Sequence, residues 1–230
     1  MTIQLTLPVK LRSDTTFTNF YPGDNGHLIT VLHELIAGMG EHFIYLWGKA
    51  GVGRTHLLQA CCHAHSDQPH TVIYLPLNTP HLSPEILQGM ETMHLVCLDD
   101  IDAVLGQRDW EEALLHFYNR ARDNTVRLVV AGHHLPPQSP CQLADLRSRL
   151  SWGLTFQVKG LSDEQKLLAL QMHATQRGLE LSQEVGQFLL RHCSREMPLL
   201  FDVLNQLDEA SLIEKHRLTI PFVKRVLRIE

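Results

Sequence analysis

Eight consecutive residues near the end of the first quarter of the chain have the types and spacing of a phosphate-binding loop. The segment Gly48-Lys49-Ala50-Gly51-Val52-Gly53-Arg54-Thr55 fits the pattern G-x-x-x-x-G-K-[ST], except that Arg54 stands where lysine is usual. Glycines let backbone N–H groups converge on phosphate oxygens, and the start of a following helix adds its dipole. Thr55 would supply a hydroxyl to a Mg²⁺ ion. The pattern therefore predicts a site for the phosphates of a nucleotide.

Arg54 changes the chemistry expected of this loop. A guanidinium keeps the charge of lysine, but it is larger and planar and does not replace an ammonium between the β- and γ-phosphates. We expect nucleotide binding to survive and hydrolysis by this chain alone to be feeble. The alternative is a glycine-rich turn that binds nothing. An apolar strand before the loop and an apolar helix after it favour the phosphate site.

An acidic strand end forms the second candidate for chemistry. The apolar run Leu95-Val96-Cys97-Leu98 leads directly into Asp99 and Asp100. Such a strand brings a carboxylate to the carboxyl edge of a parallel sheet, beside the phosphate loop. Asp99 is the candidate ligand of Mg²⁺, together with Thr55, and Asp100 is the candidate for orienting an attacking water. A solvated strand end would be the better interpretation without the phosphate loop, and with it the functional interpretation is preferred.

The elements that must position these residues can be predicted from hydrophobic periodicity. The predicted strands are 42–47, 71–75, 95–98 and 127–131, and the predicted helices are 28–37, 55–65, 83–90 and 110–122. Strands that alternate with helices indicate a parallel sheet covered on both faces. The sequence thus predicts an α/β domain over residues 13–158, preceded by a short arm at residues 1–12.

The pattern changes near residue 158. A capping box, Ser162-Asp163-Glu164-Gln165, opens a helix. Further helical patterns follow at 182–191, 197–213 and 219–228, with no strand between them. We therefore expect a helical domain over residues 159–230.

Composition limits the class of protein. The formal net charge is −5 and no run of Lys and Arg occurs, so strong binding to DNA by the chain alone is not expected. No apolar run approaches the roughly 18 residues of a membrane span. The five cysteines lack the spacing of a disulfide framework, and the amino terminus is unlike a signal peptide. A cytoplasmic protein without membrane contact is the expectation.

Taken together, the motifs resemble those of the DnaA/Hda family of AAA+ proteins. The phosphate loop followed by His56-Leu57-Leu58 is similar to the DnaA type, and Leu98-Asp99-Asp100-Ile101 resembles the acidic motif of that family. Residues 146–154 resemble the box that carries its arginine finger, and Arg195-Glu196-Met197 resembles its lid motif. The resemblance spans residues 17 to about 228. It implies an α/β P-loop AAA+ core, with a parallel sheet flanked by helices, and a C-terminal helical lid.

The resemblance also implies roles for single residues. Arg149 would be an arginine finger that acts in trans, and Arg195 would be the sensor 2 arginine of the lid. His133 stands at the sensor 1 position, where Asn or Asp is usual, so its role stays open. The implied nucleotide-binding residues are Phe20, Asn25, Gly48, Gly51, Val52, Gly53, Arg54, Thr55 and His56. A surface ion pair for Arg149 and a plain core position for Phe20 are the alternatives.

The amino-terminal arm contains a second recognisable segment. Gln4-Leu5-Thr6-Leu7-Pro8 resembles a sliding-clamp-binding peptide of the Gln-Leu-x-Leu type. Gln4 would enter a polar pocket, and Leu5 and Leu7 a hydrophobic one, whereas Pro8 stands where an aromatic residue is often found. The alternative is an edge strand with both leucines packed on the domain. The chain ends after the lid, so the DNA-binding domain of an initiator is expected to be absent.

These features point to the regulatory branch of the family. The resemblance implies a negative regulator of replication initiation that docks on the DNA polymerase sliding clamp and meets DNA only through it. Arg149 would stimulate ATP hydrolysis by the initiator DnaA, while the chain's own ADP or ATP, with Mg²⁺, would be structural. A homodimer that hides Arg149 is left open. So are a stand-alone AAA+ ATPase of the helicase-loader type and an inert nucleotide-bound scaffold.

Overall fold

The computed structural model describes residues 11–12, 14–65, 71–214 and 216–229. The chain divides into two compact units. The first unit comprises the described part of Met1–Phe17 and Asn25–Val158, and the second comprises Thr18–Asp24 and the described part of Lys159–Glu230. Among the helices in the described ranges, none combines the length and the apolar character that crossing a membrane requires.

A parallel sheet is the centre of the first unit. Its strands are β1 (Phe43–Trp47), β2 (Val72–Pro76), β3 (Leu95–Asp99), β4 (Arg127–Gly132) and β5 (Leu154–Gln157). They lie in the order β2-β3-β4-β1-β5, and every neighbouring pair is parallel. All of β3 is buried, which is typical of a strand covered on both faces. Because all strands point the same way, their carboxyl ends meet at one edge of the sheet and their amino ends at the other.

Helices flank this sheet. They are α1 (Gly26–Ile36), α2 (Arg54–His65), α3 (Arg108–Asp123) and α4 (Ala144–Leu150). The buried residues of α1, among them Leu28, Leu32 and Leu35, recur three or four positions apart and form one apolar face. Helix α2 packs on β2 and β3, whereas α3 places Leu114 and Phe117 in a core cluster shared with alternate residues of the sheet. The predicted fold class of the first unit is confirmed.

The second unit is helical after residue 158. Its helices are α5 (Asp163–Gln176), α6 (Gln183–His192), α7 (Met197–Glu214) and α8 (Ile220–Leu227). The predicted capping box is present, since the Ser162 hydroxyl accepts from the Gln165 N–H at 3.2 Å and the Gln165 side chain accepts from the Ser162 N–H at 3.0 Å. Leu189, Leu204 and Phe222 belong to a separate hydrophobic core of this unit. The helical lid is confirmed as an element of the fold.

Three local features differ from the sequence prediction. The short helix predicted at 83–90 is wrong, because the segment forms two 3₁₀ turns, Pro84–Leu87 and Met90–Thr92. Gly89 lies between them with φ of 82°, a left-handed conformation that interrupts a right-handed helix. Helix α4 and strand β5 were not predicted as elements. Both are short, with seven and four residues, so neither displays a full hydrophobic period.

Candidate functional site

The phosphate loop connects β1 to α2 at the carboxyl edge of the sheet. Gly51 and Gly53 have φ of 76° and 103°, conformations that residues with a Cβ rarely adopt. Gly48 is required for space, because a Cβ there would lie 2.8 Å from the carbonyl oxygen of Val158. The N–H of Leu57 donates to the carbonyl of Gly53 at 3.0 Å, so the first amides of α2 face the loop. Together with the half-buried Val52, these residues form a backbone cradle of the kind that binds phosphate.

Asp99 ends β3 beside this loop and is only 1% exposed. Its carboxylate accepts hydrogen bonds from the Tyr74 hydroxyl at 2.9 Å and from the Asp100 N–H at 3.0 Å, and the side chain of Thr55 lies close enough to affect its pKa. Burial raises the pKa of Asp99, and the charge of Asp100 adds to this rise, whereas the side chains of Thr55 and Tyr74 oppose it. The structure thus brings together Thr55 and Asp99, the two residues that the sequence assigned to Mg²⁺.

Asp100 follows in a left-handed conformation, with φ of 50° and ψ of 49°. Its Oδ2 accepts from the Asn78 side chain at 2.7 Å, and its Oδ1 lies 3.6 Å from Nη2 of Arg54 and 3.7 Å from Nε2 of His133. Asp100 therefore faces the phosphate loop and the end of β4 at the same time. Asn78 was not singled out from the sequence, although it follows the strand adjacent to β3.

The guanidinium of Arg54 points into the protein. The residue is 6% exposed, and its Nη2 lies 3.2 Å from Nδ1 and 3.3 Å from Nε2 of His133, besides its ion pair with Asp100. Its Nη1 is buried without a hydrogen-bond partner among the described residues. A buried, unpaired N–H of a cation is unfavourable, and an anionic ligand would satisfy it. The arrangement fits a bound phosphate, but one nitrogen of Arg54 is already committed to Asp100 and His133.

A second carboxylate, Asp102, fixes the residues that follow β4. Its Oδ2 accepts from the N–H of His133 and its Oδ1 lies 2.8 Å from Nδ1 of His134. The buried hydroxyl of Tyr45 donates to the carbonyl of His134 at 3.2 Å. Burial, reinforced by the charge of Asp102, raises the pKa of Tyr45. Gly132 leaves room for this cluster, because a Cβ there would collide with the Tyr45 hydroxyl and with Asp102.

The oxygens of Thr55 and Asp99 suit Mg²⁺, which binds hard oxygen ligands and usually retains water and phosphate oxygens as well. Within the described ranges, no cluster of three or more His, Cys, Asp or Glu residues is arranged to hold a metal ion. A Mg²⁺ ion here would accordingly depend on the phosphates of the nucleotide for much of its coordination. The donor set fits that role and not an all-protein metal site.

Arg149 lies in the last turn of α4, far from these residues. Its Cζ stands 4.0 Å from the centroid of the Trp152 ring, a cation–π contact. The Trp152 side chain is 58% exposed, whereas Nη1 of Arg149 is buried without a hydrogen-bond partner among the described residues. Burial raises the pKa of Tyr118, and the nearby charge of Arg149 opposes that rise. The guanidinium of Arg149 thus stacks on an exposed indole, and its charge is near enough to influence the buried Tyr118.

The position of this group can be derived from the sheet. Gly153 precedes β5 and lies so close to Phe43, the first residue of β1, that a Cβ would collide with its carbonyl oxygen. Trp152 and Arg149 are therefore at the amino edge of the sheet. The phosphate loop follows Trp47, the last residue of β1, at the carboxyl edge. The five residues of β1, about 16 Å at about 3.3 Å each, separate the two places.

The remaining predicted residues are divided between the two units. Asn25 is buried in the first unit, at the start of α1, whereas Phe20 is half-buried in the second. Arg195 is exposed in the second unit and forms an ion pair with Asp163, the first residue of α5, at 3.4 Å. His56 follows Thr55 on α2. The arm residues Gln4, Leu5, Leu7 and Pro8 lie outside the described residues.

Two family models together match most of the chain. Residues 11–157 match the bacterial DnaA ATPase domain, and residues 163–227 match the lid domain of Hda. The chain belongs to the DnaA/Hda family of AAA+ proteins. By this family membership it is a DnaA-related replication regulator.

Solved structures show the same fold at low sequence identity. Domain III of the replication initiation protein DnaA from Thermotoga maritima has a TM-score of 0.80 at 20% identity, covering 96% of this chain and 98% of that one. AMPPCP-bound DnaA from Aquifex aeolicus has a TM-score of 0.76 at 21% identity, covering 96% and 71%. The Holliday junction branch migration motor RuvB of Thermotoga maritima has a TM-score of 0.66 at 11% identity, covering 88% and 67%. These likenesses establish the AAA+ fold.

Within this fold, one residue that the sequence analysis missed controls the start of α4. Glu111 of α3 is buried, and its carboxylate accepts from the N–H groups of Gly106 at 2.7 Å, Gln142 at 2.9 Å and Leu143 at 2.7 Å. Burial alone would raise its pKa, but these backbone hydrogen bonds hold the pKa of Glu111 below its ordinary value. Because Leu143 is the residue that precedes α4, Glu111 anchors the start of the helix whose last turn carries Arg149.

Proposed function

We propose that this DnaA-related chain is a negative regulator of replication initiation that stimulates ATP hydrolysis by the initiator DnaA with Arg149, supplied in trans. The observation that carries the proposal is the place of Arg149, at the amino edge of the sheet and the length of β1 away from its own phosphate loop. A guanidinium at that distance does not contact a nucleotide bound at the loop of the same unit. It is suited to the nucleotide of a neighbouring AAA+ subunit.

The surroundings of Arg149 support action on a partner. Trp152 and Leu154 are both exposed apolar residues at this edge, next to a cation whose Nη1 has no hydrogen-bond partner among the described residues. An arginine that reaches the γ-phosphate from a neighbouring protein stabilises the charge of the transition state and is worth about 10³ to 10⁵ in rate. The stacked indole holds the guanidinium in one orientation before the partner arrives, so less side-chain entropy is lost on contact.

The chain's own site is proposed to bind ADP or ATP with Mg²⁺ in a structural role. The cradle of Gly48, Gly51 and Gly53 and the first amides of α2 would hold the phosphates, and Thr55 and Asp99 would face the metal ion. A bound Mg²⁺ ion would neutralise part of the negative charge of the phosphates. Asn25, Phe20 and Arg195 remain proposed contacts of the nucleotide. The AMPPCP-bound DnaA structure supports nucleotide binding by this fold.

Hydrolysis at this site is proposed to be slow. Asp100, the residue expected to orient water, is engaged by Arg54 and by Asn78. The stand-alone ATPase of the helicase-loader type is favoured by the contact of Thr55 with Asp99, an arrangement compatible with Mg²⁺. The commitment of Arg54 to Asp100 and His133 argues against it, since a paired guanidinium is a poor substitute for a lysine at the γ-phosphate.

We propose that the protein docks on the DNA polymerase sliding clamp, which would bring it to DNA indirectly. The docking segment would consist of Gln4, Leu5, Leu7 and Pro8. The net charge of −5 agrees with indirect contact, because proteins that grip DNA themselves are usually basic. A homodimer that covers Arg149 would be the resting form, with the same edge of the sheet in the contact.

The decisive test is release of phosphate from ATP-bound initiator in the presence of DNA-loaded clamp and this protein. Arg149→Ala should reduce the stimulated rate at least about 100-fold, while clamp binding stays unchanged. Arg147→Ala serves as the matched control, because Arg147 lies on the same short helix. Full stimulation by the Arg149→Ala protein would disprove the finger assignment. Phosphate release by the chain alone at a comparable rate would instead favour the stand-alone ATPase.

A further inference from the structure

Strand β5 lies at one side of the sheet and is open to solvent. Within the described sheet it pairs with β1 alone. Leu154 is 38% exposed, Thr155 and Gln157 are exposed as well, and Phe156 is half-buried. Strands of an all-parallel sheet are usually covered on both faces, so an edge strand with this much exposed surface is unusual.

The hydrogen bond that follows β5 shows which of its backbone groups face outward. The N–H of Val158 donates to the carbonyl of Trp47, the last residue of β1, at 2.7 Å. Because the backbone groups of successive residues in a strand point to opposite sides, those of Phe156 face β1 and those of Thr155 and Gln157 face away from it. Within the described ranges, no hydrogen bond engages these outward N–H and C=O groups. The outer side of β5 thus presents the alternating donors and acceptors with which a further strand pairs.

The two edge strands of the sheet differ in how they are protected. Strand β2, on the opposite side, is half-buried or buried along its whole length and ends in Pro76, which has no N–H to donate. Proteins usually protect an edge strand with a proline, a charged side chain or a covering element. The four residues of β5 include neither a proline nor a charge, and Thr155 and Phe156 are of types that favour extended structure. Its shortness limits how much chain β5 can pair with, but its sequence does not oppose pairing.

The surroundings of β5 indicate which partner would use this strand. The outward groups of two residues are too few to hold a complex by themselves, since a backbone hydrogen bond exchanged against water contributes only modestly. The adjacent contact is Trp152, which is 58% exposed and stacks on the guanidinium of Arg149 at 4.0 Å. Trp152 precedes Leu154 by two positions, about 7 Å of extended chain. A protein that receives Arg149 therefore also meets the beginning of β5.

We propose that β5 is a docking strand for the ATP-bound initiator, in which an extended segment of the initiator pairs with the outward backbone of Thr155 and Gln157 while Arg149 reaches its nucleotide. This inference rests on the proposed function, since it takes the initiator as the protein that receives Arg149. The main-chain hydrogen bonds of an added strand provide affinity and fix its register. The initiator would then be held beside α4 in one position, which is what a finger requires in order to meet the γ-phosphate.

Amide hydrogen exchange of the full chain, followed residue by residue with NMR, reports on these groups directly. In the free protein the amides of Thr155 and Gln157 should exchange fast, whereas the amide of Val158, which donates to Trp47, should be protected. Saturating initiator bound to AMPPCP should slow exchange at Thr155 and Gln157 at least about tenfold. Val158 is the internal control, because its amide is already bonded within the sheet and should exchange alike in both states.

A proline at position 155 removes one outward N–H and no hydrogen bond inside the sheet. Thr155→Pro should weaken binding of the AMPPCP-bound initiator about tenfold, because one acceptor of the added strand loses its donor. Proline is tolerated on an edge strand where the N–H faces solvent, and Leu154 is already extended, as the residue before a proline must be. Thr155→Val, the matched control, keeps the N–H and the branched shape and should bind like the wild type. Gln157→Pro removes the other outward donor and repeats the test, should Thr155→Pro fail to fold.

The possible results separate the inference from the proposed function. A chain that binds and stimulates the initiator while Thr155 and Gln157 still exchange fast overturns the inference and leaves the proposed function intact. So does a folded Thr155→Pro protein that binds the initiator as tightly as Thr155→Val. Protection that appears with the sliding clamp alone, or with rising concentration of the chain alone, would assign β5 to the clamp or to a second copy and also overturns the inference. A wild type that neither binds nor stimulates the initiator overturns the proposed function, and the inference with it.

Discussion

The guanidinium of Arg54 is paired with the carboxylate of Asp100 at 3.6 Å, so the residue that replaces the usual lysine of the phosphate loop is held by the acidic strand end. The same nitrogen contacts His133 after β4. A cation that is already paired and buried has less of its charge available to a further anion. This relationship supports the proposal that hydrolysis by the chain alone is slow, because Arg54 and Asp100 are already engaged with each other.

Arg54→Lys should raise intrinsic ATP hydrolysis about tenfold, which corresponds to about 1.4 kcal/mol of the activation free energy. The ammonium is a compact point charge that reaches the phosphates, and its shorter polar head would release Asp100. The measurement is single-turnover hydrolysis by the chain alone, at saturating nucleotide. Arg108→Lys is the control for an arginine-to-lysine substitution as such. Arg108 is an exposed arginine of α3, and its replacement should leave the rate of hydrolysis unchanged. A fast intrinsic turnover in the wild type that Arg54→Lys leaves unchanged would contradict this account.

Glu111→Gln should lower the free energy of unfolding by about 2 to 3 kcal/mol at pH 7. A glutamine keeps one acceptor but turns an N–H group toward the backbone donors of Gly106, Gln142 and Leu143. Because α4 begins at these bonds, stimulation through Arg149 should also fall. Denaturant unfolding measures the first effect. Glu112→Gln is the control, since Glu112 is partly exposed and forms only a surface pair with Arg108.

The same variant has a pH signature. The folded-state pKa of Glu111 lies below its ordinary value of 4.5, so the unfolded chain binds the proton more readily. Its contribution to stability is full above that ordinary value and is lost as pH falls through the folded-state pKa. The difference between wild type and Glu111→Gln should therefore be constant near neutrality and shrink below about pH 4.5. An equal difference at pH 3.5 and pH 7 would show that the carboxylate is not held as described.

How much of this could be predicted depends on where the partners lie in the sequence. The phosphate loop and Asp99 could be found because each is a contiguous pattern, and alternating strands and helices bring both to the carboxyl edge. Glu111 could not, since its partner Gln142 is 31 positions away and an acid in the first turn of a helix is ordinary. The contact of Gln59 with Arg12 spans 47 positions and gives no local signal. Hydrophobic periodicity gives no information on polar contacts between residues that are far apart in the sequence.

The elements near Arg149 were missed for a related reason. Helix α4 has two turns, and β5 is an edge strand of four residues with a largely exposed pattern. Neither buries enough residues to show a period, so only the resemblance of residues 146–154 to a family motif pointed to Arg149. Its place at the amino edge of the sheet followed from the close approach of Gly153 to Phe43, which is a property of the fold.

Trp152→Ala should reduce stimulation of the initiator about two- to fivefold, less than the loss expected of Arg149→Ala. Removing the indole leaves the guanidinium present but no longer held, and an exposed cation–π contact is worth about 0.5 to 1 kcal/mol. Trp152→Phe keeps an aromatic face and should show the smaller loss. The measurement is phosphate release from ATP-bound initiator with clamp in excess. Equal activity of wild type and Trp152→Ala would mean that the stacking at 4.0 Å does not orient the finger.

Gly132→Ala tests the packing at the end of β4. The added methyl group would meet the Tyr45 hydroxyl and Asp102, and overpacking of this kind costs about 1 to 3 kcal/mol. Tyr45→Phe removes the hydroxyl and should by itself cost little, because its acceptor, the His134 carbonyl, belongs to an exposed residue that water can reach. The double variant should then lose about 1 kcal/mol less unfolding free energy than the two single variants lose together, as expected for residues in direct contact. Asp102 still opposes the methyl group, so the rescue is partial. If the effects of the two substitutions on the free energy of unfolding were strictly additive, the strain would lie elsewhere. A positive coupling would show that position 132 must be glycine to make room for the cluster that holds His133 and His134.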